Sequence, residues 1–417
     1  MRVVPIPFVL LALVAGGCGS TKESAPLPAT APPTTVAPTT TVAITTTTIP
    51  PTTTTTTTAI PPTTTTTTTT ITTTTVPLGP TAVECVADLP VGLRVGQVLL
   101  PVVVQAELAV VADLAARGLV AGAVVVGPVG DGFAPAVAAV QEVSATGPVV
   151  IAVDEEGGTV QRFASLLGEL PPAAEMATWP AEEVRQVATE RASALAGYGV
   201  TVNLAPVLDV GLSPGIGTRS FSEDPVVVAG HGVAFAEGVL SGGLIPVAKH
   251  FPGHGRANAD SHEELATTPP IEDLREVDLL PFALIPDGTA VMVGHLDVPG
   301  LTEGVPASLS AAAVTGLLRG EMGFDGVVVT DDLSMGAVAQ LVDVPTASRL
   351  ALIAGADLLM VGALANVVPA AWGLVAALDD GSLDSSWLDE AVERVLALRG
   401  VDPCVLVDAG VGRVAED

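Results

Sequence analysis

Eight short runs of β-branched and apolar residues recur after residue 96, each followed by a loop and a segment rich in Ala, Leu and Glu. They span residues 97–104, 122–126, 149–153, 202–206, 245–248, 290–293, 326–329 and 357–361. Helical composition falls in the segments between and after them, for instance 181–196, 226–240, 309–318 and 387–398. Runs this short and this uniformly apolar suit parallel strands covered by helices on the outside. Strand–helix alternation predicts an α/β fold, and eight alternations favour closure into a single (β/α)8 TIM-type barrel.

Polar residues stand immediately after the apolar runs. Asp154 follows VVIAV, Asp209 follows NLAPVL, Lys249-His250 follows IPVA, His295 follows AVMVG and Asp331-Asp332 follows GVVVT. A lone Asp after a strand is ordinarily a helix cap. In a closed barrel these strand ends all face one mouth, the end at which barrel active sites are built. Five such ends bearing Asp, Lys or His are harder to assign to capping.

About eighty N-terminal residues stand apart from this pattern. Residues 1–17 carry one charge, Arg2, and then an apolar run that suits an export signal of the lipoprotein type. The run ends in Ala15-Gly16-Gly17-Cys18, which resembles a lipobox with Ala in place of the usual Leu three residues before Cys18. Lipid on Cys18 would tie the chain to the outer face of the cytoplasmic membrane; plain secretion is the alternative. Residues 18–80 are almost wholly Thr, Pro, Ala, Val and Ile, a composition expected to stay disordered and extended as a linker. Barrel sequence is then expected over 85–402 and a tail over 403–417. Cys85 and Cys404 lie near the two ends of the folded part. A closed barrel brings its ends together, so a disulfide between them is reasonable, with two unpaired thiols as the other possibility.

Charge narrows the partners. The formal net charge is −29, and all but two of the 45 acidic residues lie from Cys85 onward. Such a surface repels phosphate backbones, and no cluster of Lys and Arg offers a footprint, so nucleic acid is excluded as a partner. Mean hydropathy is +0.59, yet after the leader no uncharged apolar run reaches the ~20 residues of a membrane span. Membrane attachment is expected only through lipid at Cys18. Oligomeric state leaves no trace in the sequence.

Three constellations carry chemistry. Lys249-His250-Phe251-Pro252-Gly253-His254-Gly255 is the densest polar cluster of the folded part. His250 and His254 have the spacing of a helical zinc pair, but Pro252-Gly253 breaks any helix, and no metal or other cofactor is expected. Lys and His leaving a strand for a Gly-rich loop better suit hydrogen bonds to a neutral polyhydroxylated ligand. In Asp260-Ser261-His262 the carboxylate would fix the imidazole tautomer and make His262 a usable acid near neutrality, although such a triplet is often a solvated turn. Asp331 at a strand end could serve as a nucleophile, with helix capping as its plainer role, Asp332's especially. Asp154 opens DEEGG with Arg162 eight residues on, and Arg219 lies in GTRSF. Either arginine could clamp a ligand or neutralise acidic neighbours.

VDEEGGTVQRF, NLAPVLDV, GTRSFSEDP, KHFPGHG, ADSH and VVVTDDLSM occur in an order and spacing that resemble glycoside hydrolase family 3, in particular its single-barrel β-N-acetylglucosaminidases of the NagZ type. The resemblance covers about residues 88–400. The β-glucosidases of the family generally take a carboxylate acid/base from a second domain, and none follows in this sequence. The resemblance implies a retaining mechanism with Asp331 as nucleophile, His262 as acid/base on a mobile loop and Asp260 as its partner. It implies that Asp154, Arg162, Arg219, Lys249 and His250 hold the N-acetylglucosamine ring. Glu155 and Thr159 stand where the family commonly has Gln and Arg, and both are expected to flank the sugar pocket. The expected substrates are N-acetylglucosamine-containing oligosaccharides, peptidoglycan fragments above all. A β-glucosidase and a catalytically silent sugar-binding lipoprotein are the alternatives; the combination of Asp331, Asp260 and His262 argues against the silent binder.

Overall fold

The computed structural model describes residues 81–412. The expected leader, Cys18, the linker and residues 413–417 lie outside them. Ten strands are present among the described residues: β1 (Leu99–Val104), β2 (Gly122–Val126), β3 (Val150–Val153), β4 (Val202–Asn203), β5 (Ile245–Phe251), β6 (Ala266–Thr267), β7 (Ala290–Val293), β8 (Leu296–Asp297), β9 (Val328–Thr330) and β10 (Leu359–Gly362). All but β6 and β8 form one eight-stranded parallel sheet in the order β10-β1-β2-β3-β4-β5-β7-β9. A parallel bridge between Val329 and Leu358 brings its two edges together, so the sheet is a nearly closed barrel of the (β/α)8 type.

The two-residue period of a strand divides its side chains between two cores. Leu100, Val124, Val150, Ala152, Val202, Val247, Met292, Val329 and Met360 point inward and fill the barrel. Leu99, Val103, Val125, Ile151, Val153, Val291, Val328 and Val361 point outward and pack beneath the helices. Both faces are buried, which is why each run is continuously apolar.

The expected helices appear as Ala181–Gly197, Pro225–Ser241 and Ser385–Leu398. Asp224 and Asp384 cap the second and third, accepting from Val226 N and Ser386 N. The segment expected as a helix over 309–318 is instead a 3₁₀ turn, Ala307–Leu309, followed by a π-helix, Ala312–Glu321. Strand β5 runs three residues further than the apolar pattern, so Lys249 and His250 lie within it rather than after it.

Near the two ends of the described residues, helices Ala82–Ala87 and Pro403–Asp408 are joined by a Cys85–Cys404 disulfide with Cα atoms 5.0 Å apart. The expected tail therefore begins as a helix with Pro403 and Leu406 buried. No helix of the described residues is long and apolar enough to cross a membrane.

Candidate active site

A cleft of about 390 Å3 opens at the C-terminal ends of the strands, lined by Asp154, Arg162, Arg219, Lys249, His250, His262 and Asp331 together with Thr159 and Asp332. Its floor is the barrel interior: Val102, Val126, Met292 and Met360. A side recess shared by Arg219, His250, His262 and Asp331 adds Asp260. All eight residues expected to bind or react thus converge on one mouth, from four strand ends and the loops after them. A second, larger cleft of about 610 Å3 lies at the opposite end of the barrel beside Thr289, Phe324 and Arg394. It holds none of the proposed acid, base or nucleophile, and the chemistry of a parallel barrel belongs at the other end.

One side of the mouth is an ion network. Lys249 Nζ lies 2.8 Å from Asp154 Oδ1 and 2.6 Å from Glu156 Oε1. Arg162 donates to Asp154 Oδ2 at 2.9 Å, and Arg219 grips both carboxylate oxygens of Glu156 at 2.9 Å each. Burial by itself would raise the pKa of Asp154 and Glu156; Lys249 with Arg162 or Arg219 outweighs it, and both are lowered. Burial likewise works against the Lys249 ammonium, but the two carboxylates hold it charged. Three cations face two carboxylates here, so the network is rich in fixed donors for ligand hydroxyl oxygens.

Asp209 organises the neighbouring loop. Its Oδ2 lies 2.7 Å from His250 Nδ1, and its Oδ1 accepts from the backbone N–H groups of His250 (3.2 Å) and His254 (2.6 Å). Burial opposes its charge, yet His250, His254 and these bonds bring its pKa down to about 2. An ionised carboxylate only accepts, so His250 Nδ1 carries the proton, and its Nε2 is turned toward Arg219 NH2 at 3.5 Å. The ring nitrogens of His254 face Ser213 and Ser261. His250, within β5, and His254, in the loop after it, are thus each held by protein groups rather than set along a helix face.

The reacting pair lies between these clusters. Asp331 follows β9, and its Oδ1 accepts from Asp332 N at 2.8 Å. Burial pushes its pKa up, but His250 and His295 more than offset that, and it is lowered. Asp332 also borders the cleft, but its Oδ1 accepts from Ser334 N and Gly362 N, the turn-closing role that capping describes. His295 Nε2 lies 2.8 Å from the Asp332 carbonyl, and its Nδ1 lies 2.7 Å from Ser308 Oγ. Opposite, His262 Nδ1 is 2.7 Å from Asp260 Oδ1, and the His262 side chain is 63% exposed, open to the cleft.

Glu155 departs from its expected place at the pocket edge. It is fully buried, where it accepts from the backbone N–H groups of Arg162 and Phe163 and pairs with Arg191 at 3.2 Å. Thr159 does line the cleft. Sequence reasoning left Glu156, Asp209 and His254 without a role. Glu156 adjoins the DEEGG aspartate by two positions, and Asp209 was among the five polar strand ends; the pairings Glu156–Lys249 and Asp209–His250 cross 93 and 41 residues of chain and have no local signal.

A parallel barrel with a carboxylate at one strand end and a carboxylate-held histidine across the mouth defines a glycosidase-type site. The chain belongs to glycosyl hydrolase family 3, whose N-terminal domain description matches residues 130–398. It is 43% identical over 270 residues to the beta-hexosaminidase LpqI of Mycobacterium tuberculosis, covering 61% of this chain and 69% of that protein. The crystal structure of a family 3 glycosyl hydrolase from Mycobacterium smegmatis superposes with a TM-score of 0.71 at 40% identity, covering 75% of this chain and 98% of that one. A beta-N-acetylhexosaminidase from Beutenbergia cavernae gives 0.69 at 31% identity, over 76% of this chain and 100% of that one.

Proposed function

We propose that this chain is an exo-acting, retaining β-N-acetylglucosaminidase that removes terminal β-linked N-acetylglucosamine from peptidoglycan fragments or related oligosaccharides. The observation that carries this reading is the placement of Asp331 and His262 on one cleft, the first ionised and held by a single backbone N–H, the second oriented by Asp260. Asp260 accepts a hydrogen bond from the Nδ1–H, which leaves His262 Nε2 as the working nitrogen. Protonated there, it donates to the glycosidic oxygen as the bond to the anomeric carbon breaks, while Asp331 forms a covalent bond to that carbon. The neutral Nε2 then takes a proton from water, which attacks the same carbon and frees Asp331. Asp154, Arg162, Arg219, Lys249 and His250 hold the ring hydroxyls. Names of relatives that are beta-hexosaminidases support the N-acetylated sugar.

Release of p-nitrophenol tests the reading. The N-acetylglucosaminide should be cleaved and the β-glucoside ignored, with EDTA without effect. Asp331→Asn should abolish turnover and His262→Ala should lower it by roughly 100-fold or more. A wild-type chain that binds N-acetylglucosamine yet cleaves neither substrate would sink the enzyme reading in favour of a sugar-binding lipoprotein. We further propose export and a lipid anchor at Cys18; mass spectrometry of the native chain that finds an intact leader would end that proposal.

A further inference from the structure

His254 and Ser261 have no part in the chemistry just described, yet both are almost fully buried, at 3% and 2% exposure, beside an acid/base residue that is open to solvent. Ser261 lies between Asp260 and His262 in the sequence, on a loop whose base is closed at Asn258 and Thr267. Asn258 N donates to the Thr267 carbonyl, and Thr267 N donates to Asn258 Oδ1 at 2.8 Å.

The hydrogen bonds settle the direction of each proton. Ser213 Oγ donates to the His254 carbonyl at 2.6 Å, which uses its only proton. Its oxygen, 3.3 Å from His254 Nδ1, can then only accept, so Nδ1 carries the ring proton. Burial keeps the imidazole neutral against the pull of Asp209. Nε2 is therefore a lone pair, and it accepts from the Ser261 hydroxyl at 3.0 Å. The backbone N–H of His254 is itself anchored on Asp209. From the other side, the loop rests on the turn that follows Asp331: Gly336 N donates to the His262 carbonyl and Ala337 N to the Ser261 carbonyl. A Cβ at Gly336 would lie 2.3 Å from the Glu263 carbonyl oxygen and 2.7 Å from that of His262.

We propose that His254, Ser261 and Gly336 are positioning residues that seat the Asp260–His262 dyad over the nucleophile: His254 and Ser261 as an inner latch, Gly336 as an outer rest where no side chain fits. The proposal rests on the glycosidase reading above. None of the three meets the reacting bond; each acts through His262. A displaced acid fails chiefly where the leaving group needs its proton, and a displacement of about 1 Å costs up to ~100-fold.

The test is kcat/KM, which reports bond cleavage to the aglycone, on the phenyl and the 2,4-dinitrophenyl β-N-acetylglucosaminides. Ser261→Ala, His254→Ala and Gly336→Ala should each lose roughly 10- to 100-fold on the phenyl glycoside while staying within roughly threefold of wild type on the dinitrophenyl one. His254→Gln, which keeps an acceptor near the position of Nε2, should recover most of the loss. The double variant Ser261→Ala/His254→Ala should lose no more than the worse single one, because both break one bond. Equal losses on the two substrates, no loss in variants that melt as wild type does, or a glutamine variant no better than alanine would each overturn the latch while leaving the glycosidase reading intact. A wild-type chain inactive on both substrates would overturn the two together.

Discussion

Asp331 must be ionised to attack and yet sits where burial opposes a charge; its neighbours, His250 first among them, lower its pKa in spite of that burial. The same balance recurs at Asp154, Glu156 and Asp260, where burial is opposed and outweighed by Lys249 with the arginines or by His262, and at Asp209, held at about 2. A carboxylate with a depressed pKa keeps its charge as pH falls until that lowered value is reached. The acidic limb of kcat/KM is therefore expected below the ordinary Asp value of ~3.9. A pH–rate profile on the p-nitrophenyl substrate checks this, and a limb at or above that value would contradict the ion network. Asp154, Arg162, Lys249, His250, Asp260, His262 and Asp331 were legible as residues because each sits in a motif at a strand end or loop. Asp209 as the organiser of His250 was not legible, because its partner is 41 positions away.

Among the elements, the loop after β3 shows how a residue near the site can serve it from behind. Glu155 turns into the protein, where it fixes the backbone of Arg162 and ties the loop to helix Ala181–Gly197 through Arg191. Burial opposes the charge on both partners: the Glu155 pKa is raised and that of Arg191 lowered. Glu155→Gln retains an acceptor for the two backbone N–H groups but removes the counter-charge of Arg191; it is expected to cost less stability than Glu155→Ala and to leave sugar preference alone. Glu155→Ala leaves two backbone N–H groups and Arg191 unpaired and should cost about 3 kcal/mol or more in denaturant unfolding. A changed ratio of rates on N-acetylglucosaminide and glucoside in the glutamine variant would return Glu155 to the pocket. Most strand and helix positions were legible to within a few residues, since burial on two faces demands unbroken apolar runs. The π-helix Ala312–Glu321 and the extension of β5 through Phe251 were not, because tertiary packing rather than local pattern selects them.

Over the whole molecule, the disulfide joins residues 319 positions apart and so restrains nearly all of the folded chain. Closing so long a loop removes much unfolded-state freedom, and Cys85→Ser/Cys404→Ser is expected to lower unfolding free energy by about 2–5 kcal/mol. Neither cysteine lines the cleft, so kcat/KM on the p-nitrophenyl substrate should stay at the wild-type value; a fall in activity at temperatures where the variant is folded would argue for a link between the disulfide and the mouth. The periodicity of the amino-acid sequence by itself determined the barrel, since eight apolar runs with helices between them have few other ways to bury both faces of every strand. Its motifs also determined which side chains could do chemistry, because those side chains must follow the strands. Tertiary structure alone decided which way each of them faces. Glu155 turned inward and Thr159 outward, Asp331 toward the cleft and Asp332 into a turn, and His254 from a candidate metal ligand into a neighbour of Ser261. These choices are made by hydrogen bonds between segments far apart in the chain, whose geometry exists only after the barrel has closed.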